Sequence, residues 1–142
     1  MRPLKQLNEG KRPLVSVRPD DTVFTALTLL ARHDIGALVV LDGGRLVGIF
    51  SERDYARKIA LKGKASKDTL VREIMSEKVC CVTLDETVEE CMALMTEQRI
   101  RHLPILGVGD RVIGILSIGD LVKETISDQQ FTIEQLVTYI QN

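Results

Sequence analysis

A near-duplication of the chain constrains its fold more than any other feature. Displacing the sequence by 65 positions lays Asp20-Asp21-Thr22-Val23 on Asp85-Glu86-Thr87-Val88, and lays Ile35, Leu38 and Leu41 on Ile100, Leu103 and Leu106. One extra residue in the following turn raises the offset to 66. Arg45-Leu46-Val47-Gly48-Ile49-Phe50-Ser51-Glu52-Arg53-Asp54 then lies on Arg111-Val112-Ile113-Gly114-Ile115-Leu116-Ser117-Ile118-Gly119-Asp120. Self-similarity at a fixed spacing marks copies of one supersecondary unit. Within 142 residues each copy has about 60, near the lower limit for independent folding. The two are therefore expected to pack together as a pseudo-symmetric pair.

Hydrophobic periods alternate within each copy. Val15-Ser16-Val17 is a short β-type stretch that Val79 to Val82 repeats. Val23, Ala26, Leu27 and Leu30 then recur at helical spacing, as do Val88, Cys91, Met92 and Met95. Asp20 or Asp21, and Asp85, are candidate N-caps. The apolar runs Ala37 to Leu41 and Leu46 to Phe50 flank Asp42-Gly43-Gly44-Arg45, a hairpin turn, and Gly107-Val108-Gly109-Asp110 turns the second hairpin. Helices follow from Ser51 to about Lys62 and from Ser117 to about Ser127. The unit is β-α-β-β-α and the class is α/β (α+β).

The chain divides into 1–70, the first unit with its lead and linker, 71–130, the second unit, and 131–142, a C-terminal amphipathic helix. Gly63-Lys64-Ala65-Ser66-Lys67-Asp68 has the composition of an exposed connection, and Val71 to Met75 forms a short helix. In the tail, Ile133, Leu136, Val137 and Ile140 fall at i, i+3, i+4 and i+7, with Thr132 and Gln135 spaced as a capping box. That helix either covers the chain's own core or pairs with a second copy.

Charge and aromatic content exclude several functions. Lys and Arg total 19 against 20 Asp and Glu, a formal charge of −1, so no basic field attracts nucleic acid or an anionic membrane. Aromatics at 4% without Trp leave few platforms for stacking bases. No apolar run reaches the roughly 18–20 residues of a membrane span. The start, Met1-Arg2-Pro3-Leu4-Lys5, lacks the apolar stretch of a secretory leader, so a cytoplasmic location is expected. Cys80, Cys81 and Cys91 lack the spacing of a metal site and are expected as reduced, structural thiols.

The repeated Ser-x-x-Asp segments carry the candidate chemistry. Ser51 and Ser117 each stand at a strand-to-helix junction, where the following N–H groups and the positive end of the helix dipole suit a phosphate. Asp54 and Asp120, three residues on, offer two acceptor oxygens to the vicinal hydroxyls of a ribose. The same spacing also forms a capping box, with the carboxylate bonded back to the helix start.

Two β-α-β-β-α units, each with Gly-h-h-Ser-x-x-Asp (h, hydrophobic) after its third strand, resemble the tandem cystathionine-β-synthase (CBS) domain. The motifs are Gly48-Ile49-Phe50-Ser51-Glu52-Arg53-Asp54 and Gly114-Ile115-Leu116-Ser117-Ile118-Gly119-Asp120, supported by Arg101-His102-Leu103-Pro104-Ile105. The resemblance covers residues 13–127. It implies two clefts between the units, each taking an adenine nucleotide with groups from both copies. Adenine is then expected beside Val15, Ser16 and Val17, or beside Cys80, Cys81 and Val82, and against the second strand at Ala37 or Pro104. Arg53 and Arg101 are expected at the phosphate of the Asp120 cleft, with Ser51 and His102 serving the Asp54 cleft. Solvated arginines and a packed histidine are the plainer alternatives for these basic residues.

Two departures stand out. Val39 replaces Pro104 in the first copy, and Gly119 replaces Arg53 in the second, which makes the clefts unequal. The resemblance implies a non-enzymatic sensor for an adenosine-containing ligand, AMP first, with ATP, ADP, NAD or S-adenosylmethionine as alternatives. It further implies a homodimer and an effector protein as partners. Carboxylates engaged by ribose hydroxyls and helix ends act as acceptors, a role opposed to proton donation. Two rival readings are a ligand-free structural module and a thiol- or metal-responsive regulator.

Overall fold

The computed structural model describes residues 3, 4 and 13–141. The first unit contains β1 (Ser16–Val17), α1 (Val23–His33), β2 (Ala37–Asp42), β3 (Arg45–Ser51) and α2 (Glu52–Tyr55), which widens into a π-helical turn at Ala56–Ala60. A short α3 (Val71–Ile74) precedes the second unit of β4 (Val82–Thr83), α4 (Val88–Gln98), β5 (His102–Leu106), β6 (Val112–Ser117) and α5 (Ile118–Gln141). Each unit is a three-stranded sheet, in order β1-β2-β3 or β4-β5-β6. The first pair of strands is parallel and the second antiparallel. This is the α+β pair expected from the repeat.

Strand register reproduces the duplication residue by residue. Leu38 pairs with Phe50, and Leu103 with Leu116. Each hairpin carries a bulge, after Val40 and after Ile105. The added residue lies in the second turn. The first turn is the dipeptide Gly43-Gly44, whose φ values of 58° and 83° suit a tight hairpin of primed type. The second contains the 3-10 turn Val108–Asp110.

Helix ends depart from the sequence expectation. Thr22 and Thr87, rather than Asp20, Asp21 or Asp85, cap α1 and α4, with their hydroxyls accepting from the N–H groups of Thr25 (3.1 Å) and Glu90 (3.2 Å). Asp21 instead accepts from the N–H of Arg18 at 2.8 Å. The expected strand Val79 to Val82 is reduced to Val82–Thr83, so Cys80 and Cys81 precede it. Pro104 stands where the first unit has Val39; it pairs with Ile115 in the antiparallel ladder and lacks the N–H that Val39 carries.

The tail is not a separate helix. α5 runs unbroken from Ile118 to Gln141, and Thr132 turns its hydroxyl back to the Asp128 carbonyl at 3.0 Å instead of capping a new start. No Gly or Pro lies between Asp120 and Gln141, so nothing in the backbone ends the helix near residue 130. The tail does not take part in covering the chain's own core, because every residue from Ile126 to Gln141 is exposed.

The two cores exchange their lead segments. Val71 and Ile74 of α3, expected with the second unit, are buried in the first core with Val23, Leu38 and Phe50. Leu4, expected with the first unit, is buried in the second core with Val88, Leu103 and Leu116. The backbone repeats the exchange: the Val71 N–H donates to Asp21 at 2.8 Å, and the Leu4 N–H donates to Glu86 at 2.9 Å. Asp21 and Glu86 are equivalent positions of the repeat. Each unit is thus completed by the segment that leads into the other. Truncating Leu4 or Ile74 to Ala should cost about 2–5 kcal/mol, and urea unfolding of either variant should show one transition for the whole chain.

Candidate functional site

A cavity of about 680 Å³ lies between the units. Its first-unit wall comes from the approach to β1 (Pro13, Leu14, Val15) and from the end of α1 with the start of β2 (His33 to Ala37). Its second-unit wall comes from His102, from Ile113, Gly114 and Ile115 of β6, and from Ser117 and Asp120 at the start of α5. Apolar Val15, Ile35, Ile113 and Ile115 therefore share the lining with the polar groups of one helix N-terminus.

Those polar groups follow from local sequence. Ser117 ends a β-strand and Asp120 sits in the first turn of α5. The Asp120 N–H donates to Ser117 Oγ at 3.1 Å, and the Ser117 N–H donates to Asp120 Oδ2 at 3.0 Å. This reciprocal pair is a capping box, and it borders the cavity. His102 pairs with Ser117 across the sheet. A Cβ placed on Gly36 would lie 3.4 Å from the His102 ring, so the two units come into van der Waals contact here. Burial pushes the His102 pKa below its ordinary 6.5; nearby Asp120 opposes this, and Arg101 reinforces it.

The equivalent motif in the first unit has a different environment. Asp54 is buried. Its carboxylate accepts from the Ser51 N–H (3.0 Å), Ser51 Oγ (3.1 Å) and Ser76 Oγ (3.4 Å), and lies 3.3 Å from Lys58 Nζ. Lys58 also donates to the Ile74 carbonyl at 2.9 Å. Ser76 forms an antiparallel bridge with Ile49, through hydrogen bonds of 3.0 and 2.9 Å. A Cβ on Gly48 would come within 2.6 Å of Met75 Sδ. Met75 and Ser76 thus lie across Gly48 and Ile49, the counterparts of Gly114 and Ile115. Asp54 holds that segment down.

The expected site residues therefore separate. Val15, Ala37, His102, Ser117 and Asp120 meet at one cavity, whereas Ser51 and Asp54 belong to the network under Ser76. His102 was expected with Asp54; cross-strand pairing with Ser117 puts it beside Asp120 instead. Arg53 and Arg101 are exposed and do not line this cavity, and Arg53 reaches the Arg99 carbonyl of the other unit at 3.5 Å. Val17, Val82 and Pro104 are buried, Val17 and Val82 within the two cores, and Ser16 is exposed. Cys81 lines a second, shallower cavity of about 690 Å³ beside the hairpin tips, with Arg45, Val47, Val79 and Arg111 among its walls. Cys80 packs against the second core. The sequence reading missed Pro13, Leu14, His33 and Asp34. The helix-to-strand junction at His33 to Gly36, once placed against the second unit, is the signal that marks the last two.

Comparison with known proteins fits this architecture. The family profile of the CBS domain matches residues 6–61 and 71–127. The chain belongs to the CBS domain family. It is 43% identical over 128 residues to the mitochondrial CBS domain-containing protein CBSX3 of Arabidopsis thaliana, covering 86% of this chain and 61% of that protein. It is 30% identical to the CBS domain-containing protein YhcV of Bacillus subtilis, covering 82% and 81%. The chain thus spans about three-fifths of CBSX3, and about one-fifth of an inosine-5'-monophosphate dehydrogenase of Methanocaldococcus jannaschii that is also similar. Among solved structures, a putative signal-transduction protein with CBS domains from Burkholderia ambifaria superposes with a TM-score of 0.85 at 50% identity, covering 92% of this chain and 98% of that one. The CBS domain pair of protein MJ0100, solved with 5'-methylthioadenosine and S-adenosyl-L-methionine, superposes with a TM-score of 0.79 at 25% identity, covering 90% and 98%.

Thiol and acid–base properties give two checks. Burial, then Glu86 and Glu90, push the Cys91 thiol up to about 11, and burial, then Cys80 and Asp110, push Cys81 up. Protonated thiols are poor nucleophiles, so Cys91 should react with Ellman's reagent only on unfolding. A histidine whose folded pKa is depressed stabilises fully above its unfolded value and loses that contribution as pH falls through 6.5 toward the lower folded value. The melting temperature should fall over that interval, and His102→Gln should flatten the fall.

Proposed function

We propose that the chain is a sensor module that binds one adenosine-containing ligand in the Asp120 cavity. The carrying observation is that cavity itself, walled by both units, with apolar side chains and the Ser117–Asp120 helix start together in its lining. A flat base fits the apolar side chains. Ribose hydroxyls fit the Asp120 carboxylate, and a phosphate fits the N-terminus of α5. The MJ0100 pair, a structural relative solved with two adenosine compounds, supports this class of ligand. AMP is the leading candidate, with ADP, ATP, NAD and S-adenosylmethionine as the alternatives to compare.

The role is binding rather than catalysis, exercised in the cytoplasm. A ligand that contacts both units shifts their relative arrangement only if it prefers one arrangement. The output then passes to a second copy of the chain, as a homodimer, or to an effector protein. The thiol-responsive alternative has less support, since burial raises the pKa of Cys81 and Cys91, and no cluster of three metal-ligating side chains occurs among the described residues.

Calorimetric titration with AMP, ADP, ATP, NAD and S-adenosylmethionine tests the reading. One equivalent per chain is expected, with affinity reduced at least tenfold by Asp120→Ala. Asp54→Ala should lower the melting temperature, because it releases Ser76 and Lys58, while leaving the stoichiometry at one. No heat and no thermal shift with any of the five compounds would sink the proposal.

A further inference from the structure

The last turns of α5 leave the body of the protein. Leu121 is buried in the second core and Thr125 reaches Met92 of α4, but every residue from Ile126 onward is exposed. The 129–141 segment is thus an exposed helix, with no residue of it buried among the described residues. Isolated helices shorter than about 12–15 residues are marginal in water, and this one contains several β-branched residues, which are weak helix formers.

Its apolar residues form a seam. Ile126, Ile133 and Ile140 recur every seven residues, and Val122, Gln129 and Leu136 fall four residues before or three after them. In heptad terms the isoleucines occupy a, with Val122, Gln129 and Leu136 at d. In parallel coiled coils isoleucine at a with leucine at d favours two strands, a pattern that Ile133, Leu136 and Ile140 follow here. The exposures along the seam run from 40% at Val122 to 79% at Ile140.

We propose that this seam is the surface on which a second copy of the chain docks, through the same helix. The assignment rests on the homodimer proposed above and names its contact. Charge argues for a copy of the chain rather than a charged partner. Glu134 is the one charged residue of 129–141, and it lies at position b, away from the seam, so identical helices meet without repulsion. Gln129 in a parallel pair faces its own counterpart, where the two amides can exchange hydrogen bonds and fix the register. The exposed seam side chains amount to on the order of 400 Å² of apolar area per chain. Homodimer interfaces are about two-thirds apolar, so the seam with its flanks corresponds to roughly 600 Å² per partner, at the lower edge of stable, specific contacts.

Light scattering on the full chain tests this with Ile133→Lys/Ile140→Lys and a control, Val108→Lys, at a hairpin tip that is 98% exposed. The wild type and the control should have the mass of two chains, and the double variant the mass of one with an unchanged melting temperature for the body. Ile133→Gln/Ile140→Gln gives the same reading if the lysines impair folding. A wild type with the mass of one chain overturns the dimer and its surface together. A dimer that persists in both double variants overturns the surface alone. AMP titration of the same samples reports separately on the Asp120 cavity.

Discussion

The exchange of lead segments is the interaction on which the other features of this structure depend. A unit of about 60 residues buries too little surface to be comfortable alone, and each unit here lacks part of its core until the other supplies it. Leu4 fills the second core, while Val71 and Ile74 fill the first. The symmetric hydrogen bonds to Asp21 and Glu86 show that this is one device used twice. It ties the two units together, and the cavity lined by Gly36 of one and His102 of the other lies between them.

Given that pseudo-symmetry, the inequality of the two Ser-x-x-Asp motifs comes from their neighbours. Lys58 lies one helical turn beyond Asp54 and pairs with it; the corresponding residue beyond Asp120 is an acid, Glu124. Ser76, at the end of the segment that crosses β3, adds a further donor to Asp54. One motif is therefore absorbed into holding the linker, and the other borders a cavity. Duplication supplied two similar helix starts, and substitutions a turn away gave them different work.

Local features were legible in the sequence wherever one period or one turn determined them. The duplication, the hairpins, the core faces of α1 and α4 and the Ser117–Asp120 helix start all follow from spacing. What escaped depended on contacts between distant parts of the chain. Nothing local assigns Leu4 to the second core or Val71 to the first, because the exchange is a property of how the units meet. His102 was misplaced for a related reason: it belongs to the second unit's own sheet, and cross-strand pairing with Ser117 decides its cleft. The Thr132-Gln135 spacing suggested a fresh helix start, yet a capping signal ends nothing unless the preceding residues leave the helix, and Ser127 to Phe131 have no reason to do so.

That unbroken helix joins the two proposals mechanically. Its start places Asp120 at the cavity beside Ser117, Thr125 in its second turn reaches Met92 of α4, and the exposed turns from Ile126 onward carry the isoleucines of the seam. At 1.5 Å per residue the 24 residues of α5 extend about 36 Å. Once paired at the seam, a helix that begins at the cavity wall transmits a rotation there along its length. Because a ligand shifts such an equilibrium only by its differential affinity for the two arrangements, the cavity and the seam are coupled to the extent that contacts at Asp120 differ between paired and unpaired helices. By linkage, association through the seam then changes ligand affinity by the same factor as the ligand changes association.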